Sequence, residues 1–155
     1  MFVAKMCARS IATCYRHASA AEIARQMRDA QLGEVIVVET RGDRICPVGI
    51  ITEHDIVARV VAADADAARM TAADLLIEKL ETVLESELVY DAIWHMRSKR
   101  VRHLAVVDAH DALIGVLRAD DVSEFLASEL IEVSRIGPHR AAEAEPAPSH
   151  VRQAA

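Results

Sequence analysis

The stretch GIITEHDIV, Gly49–Val57, returns in outline later in the chain as GVLRADDVS, Gly115–Ser123. Each stretch begins with a glycine and apolar residues, and each reaches an aspartate six residues after that glycine. The apolar residues indicate the end of a buried strand, and the polar residues that follow indicate the start of a helix. The chain therefore contains one type of strand-to-helix junction twice, with Thr52 in the first copy where the second has Arg118.

The repeat extends on the N-terminal side of both junctions. With an offset of 69 residues, AAEIARQMRDAQLGEVIVVE (Ala20–Glu39) aligns with VYDAIWHMRSKRVRHLAVVD (Val89–Asp108). The first copy then carries three extra residues, TRGDRICPVG against AHDALIG, so that the offset falls to 66. Folded repeats tolerate insertions in turns. The helical and strand periodicities predict the order strand, helix, strand, strand, helix in each copy.

The bulk composition predicts one shared core for the two copies. The chain has 155 residues, and a unit of about 60 residues buries only about 60 % of the surface that its unfolded chain exposes, so we expect the two copies to share one core. We expect a first repeat over residues 1–66, then a linking helix and second repeat over residues 67–136. Residues 137–155 lack hydrophobic periodicity and are expected to form a disordered tail.

Charge and cysteine content bound the environment of the protein. The net charge of −6 argues against general nucleic-acid binding and against attraction to anionic membranes. No apolar run is long enough for a membrane span, and the N-terminus lacks the apolar core of a signal peptide. The three cysteines have no CxxC spacing, which suits reduced thiols. We therefore expect a cytoplasmic protein without bound nucleic acid or membrane.

Catalytic and metal-binding motifs are missing from the sequence. The seven histidines show neither HxH nor HxxxH spacing, and no cysteine has an assignable histidine partner. No G-x-S-x-G, phosphate-binding P-loop or G-x-G-x-x-G motif occurs. We expect neither an enzyme nor a metal site.

The doubled pattern resembles a pair of CBS (cystathionine-β-synthase) domains over roughly Met6–Val133. GIITEHDIV matches the G-h-h-T/S-x-x-D junction of that family, where h is apolar. MRSKRVRHLAVVD, Met96–Asp108, matches its M-x-x-x-x-h-x-h-L-x-V-V-D stretch. The resemblance implies an α+β fold in which two βαββα repeats, related by a pseudo-two-fold axis, pack their small mixed sheets face to face. It also implies two clefts for adenosyl ligands (AMP, ADP, ATP, NAD or S-adenosylmethionine), a homodimer, and a regulatory role in signal transduction through an unidentified effector protein or enzyme.

The resemblance assigns roles to junction residues. Asp55 and Asp121 would hold the ribose hydroxyls, Thr52 would support Asp55, and Arg118 would face phosphate. Arg102 and His103 fall on the family's adenine and phosphate loop, and the equivalent loop of the first copy contains Gly33. Apolar walls for adenine would come from both copies. The wall residues are Cys14, Val35, Val83 and Leu104.

Each assignment has a structural alternative. Thr52 and Asp55 have the spacing of a helix-capping pair, in which threonine accepts a backbone N–H and the acid lies in the first turn. Arg118 offers only donors and cannot cap as threonine does, although Asp121 is retained. The wall residues could be ordinary core. The equivalent of the basic loop in the first copy contains Glu34, which would repel phosphate. We therefore expect unequal clefts: the first copy has the complete ribose pair, and the second has the better environment for an anion.

Two functions of other classes remain open at this stage. The chain could be a dimerisation or protein-interaction module with vestigial clefts, which the replacement of threonine by Arg118 favours for one of them. A role linked to nucleic acid through MRSKRVRH conflicts with the net acidity.

Overall fold

In the computed structural model, which describes residues 1–76 and 80–136, each copy forms a three-stranded sheet with flanking helices. In the first repeat, β1 (Thr13–Tyr15) runs parallel to β2 (Glu34–Arg41), and β2 pairs antiparallel with β3 (Arg44–Thr52). In the second repeat, β4 (Thr82–Leu84), β5 (His103–Val107) and β6 (Leu113–Arg118) repeat this arrangement. Two small mixed sheets with helices make the fold α+β, as expected.

The helices occur where the periodicity predicts them. The helices of the first repeat are α1 (Ala20–Ala30) and α2 (Glu53–Ile56), which continues as a π-helical turn, Val57–Val61. A short α3 (Ala72–Leu75) links the repeats. In the second repeat, α4 (Val89–Lys99) precedes β5, and α5 (Ala119–Ser134) follows β6 directly.

The three extra residues of the first copy lengthen a hairpin instead of forming a wide turn. Strands β2 and β3 remain paired out to Arg41 and Arg44, across a two-residue turn in which Gly42 has φ +61°. Glycine adopts this left-handed conformation without steric cost. Pro47 is accommodated at a register shift after Val37, where the missing N–H matters least. We expected the three extra residues to lie in a turn, and that expectation was wrong because they extend the ladder, with Thr40 paired to Ile45 and Arg41 to Arg44.

The two sheets pack face to face through alternate side chains of their central strands. Ile36 and Val38 on β2 cluster with Ala105 on β5, Val116 on β6 and Leu80. The neighbouring residues Val35 and Val37 point the other way, into the core between the first sheet and its helices. Because side chains alternate along a strand, each sheet contributes one face to the other repeat and one to its own helices.

The chain segments that precede each repeat cross to the other one. Val3 and Cys7 are buried in the core of the second repeat, and Ala8 exchanges backbone hydrogen bonds of 2.8 and 3.0 Å with Val116. In the same way, Ala72 and Leu75 are buried in the core of the first repeat. The division at residues 66 and 67 stays a prediction about the sequence copies, since in space each repeat borrows a segment from beyond its own copy.

This exchange explains the glycines that open both junction stretches. A Cβ atom at Gly115 would lie 2.5 Å from the carbonyl oxygen of Ala8, and one at Gly49 would lie 2.2 Å from Cδ2 of Leu76. Both distances are shorter than a normal contact of a Cβ atom, so a side chain at either position would force its neighbour to shift. The glycines are therefore packing residues that admit the crossing segments.

Candidate ligand-binding site

The first junction is a complete capping box. Thr52 caps α2: its Oγ1 accepts from the backbone N–H of Asp55 at 3.3 Å. In return, Asp55 Oδ2 accepts from the backbone N–H of Thr52 at 2.8 Å and from its hydroxyl at 2.6 Å. The alternative stated above, a helix cap, is therefore realised. Within the described residues Asp55 Oδ1 has no hydrogen bond, so that oxygen retains its capacity to accept.

The second junction has the same backbone course without the cap. Arg118 occupies the N-cap position of α5 and makes no side-chain capping bond. Its Nη1 lies 3.4 Å from Oδ2 of Asp121, and its Nε donates to Oε1 of Glu34 in the first repeat. Arg118 and Glu34 are mostly buried, with side chains 19 % and 11 % exposed. The guanidinium that the sequence predicts to face phosphate is thus shared between two carboxylates of the protein.

Strand register explains how a residue of the first repeat reaches the second junction. Glu34 pairs with Thr52 at the end of the first sheet, and His103 pairs with Arg118 at the same end of the second. Glu34 and His103 are equivalent positions of the repeat, and His103 Nε2 lies 3.9 Å from Glu34 Oε2. The ends of both sheets therefore meet where the repeats contact each other, and Glu34 contacts Arg118 from across that boundary.

Electrostatics at this boundary favour a charged arginine and a neutral histidine. Burial alone would lower the pKa of Arg118, but the bond to Glu34 and the charge of Asp121 outweigh it and raise that pKa. Burial lowers the pKa of His103; the charge of Glu34 opposes that change, whereas Arg118 and Arg102 add to it. The cluster thus holds one cation, Arg118, between the carboxylates of Glu34 and Asp121.

The loops before β2 and β5 are tied to the junctions by equivalent backbone bonds. The N–H of Glu53 donates to the carbonyl of Gly33 at 2.9 Å, and the N–H of Ala119 donates to the carbonyl of Arg102 at 2.8 Å. The Arg102 side chain is 69 % exposed and pairs with Asp120 at 2.5 Å. Exposed ion pairs contribute only about 0–1 kcal/mol, so this pair adds little to stability.

The four predicted wall residues are buried in the cores of their own repeats. Cys14 and Val35 pack against the helices of the first repeat, and Val83 and Leu104 against those of the second. Burial raises the pKa of the Cys14 thiol to about 11. Core packing, the alternative given above, is the role of these residues in this structure, and their contact with adenine stays a prediction. The side chains that face the other repeat come from the opposite faces of the same strands.

One open cavity lies beside the second junction, and another lies between the repeats. The first, of about 410 Å³, adjoins Asp121 and is lined also by Met6, Ala8 and Phe125. The second, of about 400 Å³, lies between the repeats near the far end of β2, between Arg41 and Thr82. None of the predicted site residues lines this second cavity. The residues lining it are Arg16, Glu39, Arg41, Cys46, Pro47, Val48, Leu80, Thr82, Val107 and Asp111.

Sequence reasoning missed the role of Glu34 at the second junction. It placed Glu34 in the loop of the first copy, as a source of repulsion there. The only available signal was that an acid replaces the equivalent His103 while an arginine replaces the equivalent Thr52, a reciprocal change of charge in two copies. Such a change indicates contact only if the two positions face each other, and register and packing decide that.

The fold defines a two-repeat module with one strand-to-helix junction in each half. The CBS domain model matches residues 3–62 and again residues 72–128. The chain belongs to the CBS domain family.

Solved structures agree with this assignment. The chain is similar to a CBS domain protein of Pyrobaculum aerophilum in complex with AMP, with 25 % identity, a TM-score of 0.72, and coverage of 86 % of this chain and 98 % of that one. It also resembles, at 22 % identity and a TM-score of 0.71, the CBS domain pair of a protein in complex with 5′-methylthioadenosine and S-adenosyl-L-methionine, covering 83 % and 98 % of the two chains. This second likeness concerns the fold.

Curated relatives add no activity. The chain is 32 % identical to an uncharacterized protein of Methanopyrus kandleri over 77 % of its length, and 30 % identical to an uncharacterized 17.7 kDa protein of Acidianus ambivalens over 68 %. It spans about 60 % of the length of each relative. In the described part of the chain, no helix combines the length and apolarity needed to cross a bilayer. No cluster of histidine, cysteine and acidic side chains there could hold a metal ion.

Proposed function

We propose that this chain is a regulatory module that binds an adenosyl ligand of the AMP, ADP, ATP, NAD or S-adenosylmethionine class. Asp55 and Asp121 hold the ribose hydroxyls, and Thr52 orients the first of these carboxylates. Arg102 and His103 contact the 5′ substituent of the ligand. Support comes from the AMP complex of the similar Pyrobaculum protein and from the junction geometry.

One observation carries the proposal: the second junction keeps its aspartate although it has lost the cap. Capping alone accounts for Asp55, because Thr52 and Asp55 satisfy each other. It does not account for Asp121, since the N-cap residue Arg118 makes no capping bond. Asp121 borders a cavity and is partly exposed, so its carboxylate can accept hydrogen bonds from a vicinal diol.

The contacts available would give an affinity suited to sensing. Hydrogen bonds to a charged acceptor contribute about 1.5–3 kcal/mol each. Burying one adenine face, about 100 Å², adds about 2.5 kcal/mol. After the losses of association, a net of about −8 kcal/mol corresponds to a micromolar dissociation constant.

Regulation follows from the position of the sites at the boundary of the repeats. A ligand that contacts both repeats stabilises one relative packing of them, and a partner that distinguishes the packings responds to ligand concentration. We propose that this happens in a cytoplasmic homodimer that acts on an effector protein, without catalysis and without binding nucleic acid or membrane. Exposed aromatic side chains on α4, Tyr90 and Trp94, suit the dimer contact.

Calorimetry with AMP, ADP, ATP, NAD and S-adenosylmethionine tests the binding proposal. The double variant Asp55→Ala with Asp121→Ala should lose about 100-fold or more in affinity for whichever ligand binds. Asp74→Ala is the matched control, because Asp74 forms the same capping box with Thr71 at 2.7–2.8 Å, in α3. It should lose stability without losing affinity. Binding that survives the double variant would show that both acids are structural.

Thermal unfolding distinguishes ligand sensing from the rival function, an interaction module with vestigial clefts. A ligand that binds only the folded state raises the unfolding temperature in proportion to its excess over the dissociation constant. If millimolar concentrations of every ligand leave the unfolding temperature unchanged while the chain still dimerises through α4, the interaction module is the better description.

A further inference from the structure

The carboxylate of Glu34 has no role in the ligand contacts proposed above. Among the residues described, it is the one buried polar or charged residue, with 9 % of its surface exposed. Its oxygens face the guanidinium of Arg118 and the imidazole of His103, both from the second repeat. Neither capping nor the core of its own repeat requires an acid at this position.

The side chains at the second junction already carry a net negative charge. Arg118 carries one positive charge and contacts Glu34 and Asp121, which carry one negative charge each. The neighbouring Arg102 is paired with Asp120. A phosphate group that approached Arg118 would have to displace the Glu34 carboxylate or lie beside it. Displacement would leave a buried carboxylate without its partner, which is costly in a poorly solvated site.

The first junction offers no compensating cation. Its acids are Asp55 and Glu53, and the Glu53 side chain lies about 3.6 Å from where a Cβ of Gly33 would be. In the described contacts, no basic side chain bonds to Thr52, Glu53 or Asp55. Both junctions therefore present carboxylates at the start of their helices, beside the aspartates proposed to hold the ribose.

We propose that Glu34 is a specificity residue: it occupies Arg118 as an internal anion and makes the second cleft prefer adenosyl ligands whose 5′ substituent is neutral or cationic, a thioether or sulfonium, over 5′-phosphates. The inference rests on the proposed function, and it names the ligand class within it. Arg118 is then a positioning residue for Glu34 and Asp121, and not a phosphate ligand. A cationic sulfonium gains from the surplus negative charge that repels phosphate.

AMP and 5′-methylthioadenosine form a matched pair of probes, since they differ only in the group at the 5′ carbon. Calorimetry on the full chain should give at least about ten-fold tighter binding of 5′-methylthioadenosine than of AMP. Glu34→Gln keeps the shape and removes the charge, and it should reduce that ratio by about ten-fold, mainly by strengthening AMP. Glu39→Gln, an exposed acid at the far end of β2 that pairs with Arg41, should leave the ratio unchanged.

Arg118→Thr supplies a second variant with the opposite sign. It leaves the Glu34 charge without its guanidinium, so the ratio should increase. General loss of folding cannot produce opposite shifts in two variants, and either variant alone suffices if the other does not fold. Repeating both in the Asp55→Ala background assigns the shifts to the second cleft.

The outcomes separate the two proposals. If AMP binds the natural chain as tightly as 5′-methylthioadenosine, or if neither variant moves the ratio, the role of Glu34 is refuted while ligand sensing stands. If shifts vanish in the Asp55→Ala background, the placement in the second cleft is refuted. If none of the adenosyl ligands binds the natural chain or its variants, the proposed function itself fails.

Discussion

The two strand-to-helix junctions share a backbone course and differ in how each satisfies its first helical turn. At the first, Thr52 and Asp55 satisfy each other locally through a capping box. At the second, Arg118 makes no cap and instead bonds across the repeat boundary to Glu34 and back to Asp121. The capping bonds of the first junction therefore lie within one repeat, whereas the second junction also bonds across the boundary between the repeats. One duplicated element thus serves local stability in one copy and assembly of the halves in the other.

The largest loss of stability is expected when one member of the pair Glu34 and Arg118, which joins the two repeats, is removed. Arg118→Ala leaves the buried Glu34 carboxylate without its guanidinium and should lower the free energy of unfolding by about 3 kcal/mol. Glu34→Ala should cost less, because Arg118 keeps its contact with Asp121. The double variant should be less destabilised than the sum of the singles, because no charge is left without its partner. Urea denaturation of all four proteins gives the coupling energy. Additive losses would show that the two residues do not interact in solution.

An intermediate loss of stability is expected when Gly49 or Gly115, the glycines that open the two junction stretches, is replaced by alanine. Gly115→Ala should cost about 2–3 kcal/mol, because the new methyl group meets the backbone of Ala8, which cannot move without breaking its pairing with Val116. Gly49→Ala should cost less, about 1 kcal/mol, because its methyl group meets the end of the Leu76 side chain, which can change rotamer. Thermal or chemical unfolding of the two variants side by side measures the difference. Equal costs would contradict the crossing of the N-terminal segment over the second repeat.

The smallest expected effect is a pH dependence carried by His103. Its pKa is lowered from the ordinary value of 6.5 in the folded protein, mainly by burial. The unfolded chain therefore takes up a proton first as pH falls, and the free energy of unfolding decreases from about pH 6.5 down to the lower folded-state pKa. Above this window the contribution is fully present. His103→Gln should flatten that part of the profile.

The matched control for this measurement is His110→Gln, since His110 is exposed in the turn between β5 and β6, with a side chain 66 % exposed. Between about pH 7.5 and about pH 5, the change of the denaturation midpoint with pH should become smaller in His103→Gln and stay the same in His110→Gln. An unchanged slope in His103→Gln would place the imidazole in solvent, away from the Glu34 and Arg118 boundary.

Much of the site could be predicted from the sequence because it is local. The spacing of Thr52 and Asp55 predicts a capping box, and the box is present. The same reasoning finds Asp121 at the start of α5 and Arg118 in a position where it cannot cap. The roles of these acids toward a ligand remain predictions. The wall residues could not be placed from the sequence. To decide whether Val35 or Ile36 lies at the boundary, one must know which face of the sheet each side chain is on, and a buried strand that is apolar on both faces does not show this.

The sequence by itself determined the doubled α+β architecture, the order of elements and the family, because periodicity and caps act over a few residues and the repeat shows them twice. Only the tertiary structure decided that residues before each repeat pack into the other one, that the three extra residues extend a hairpin, and that Glu34 meets Arg118. These contacts join positions far apart in the chain, up to 84 residues for that pair. Their partners depend on which strand faces meet, which no local pattern specifies.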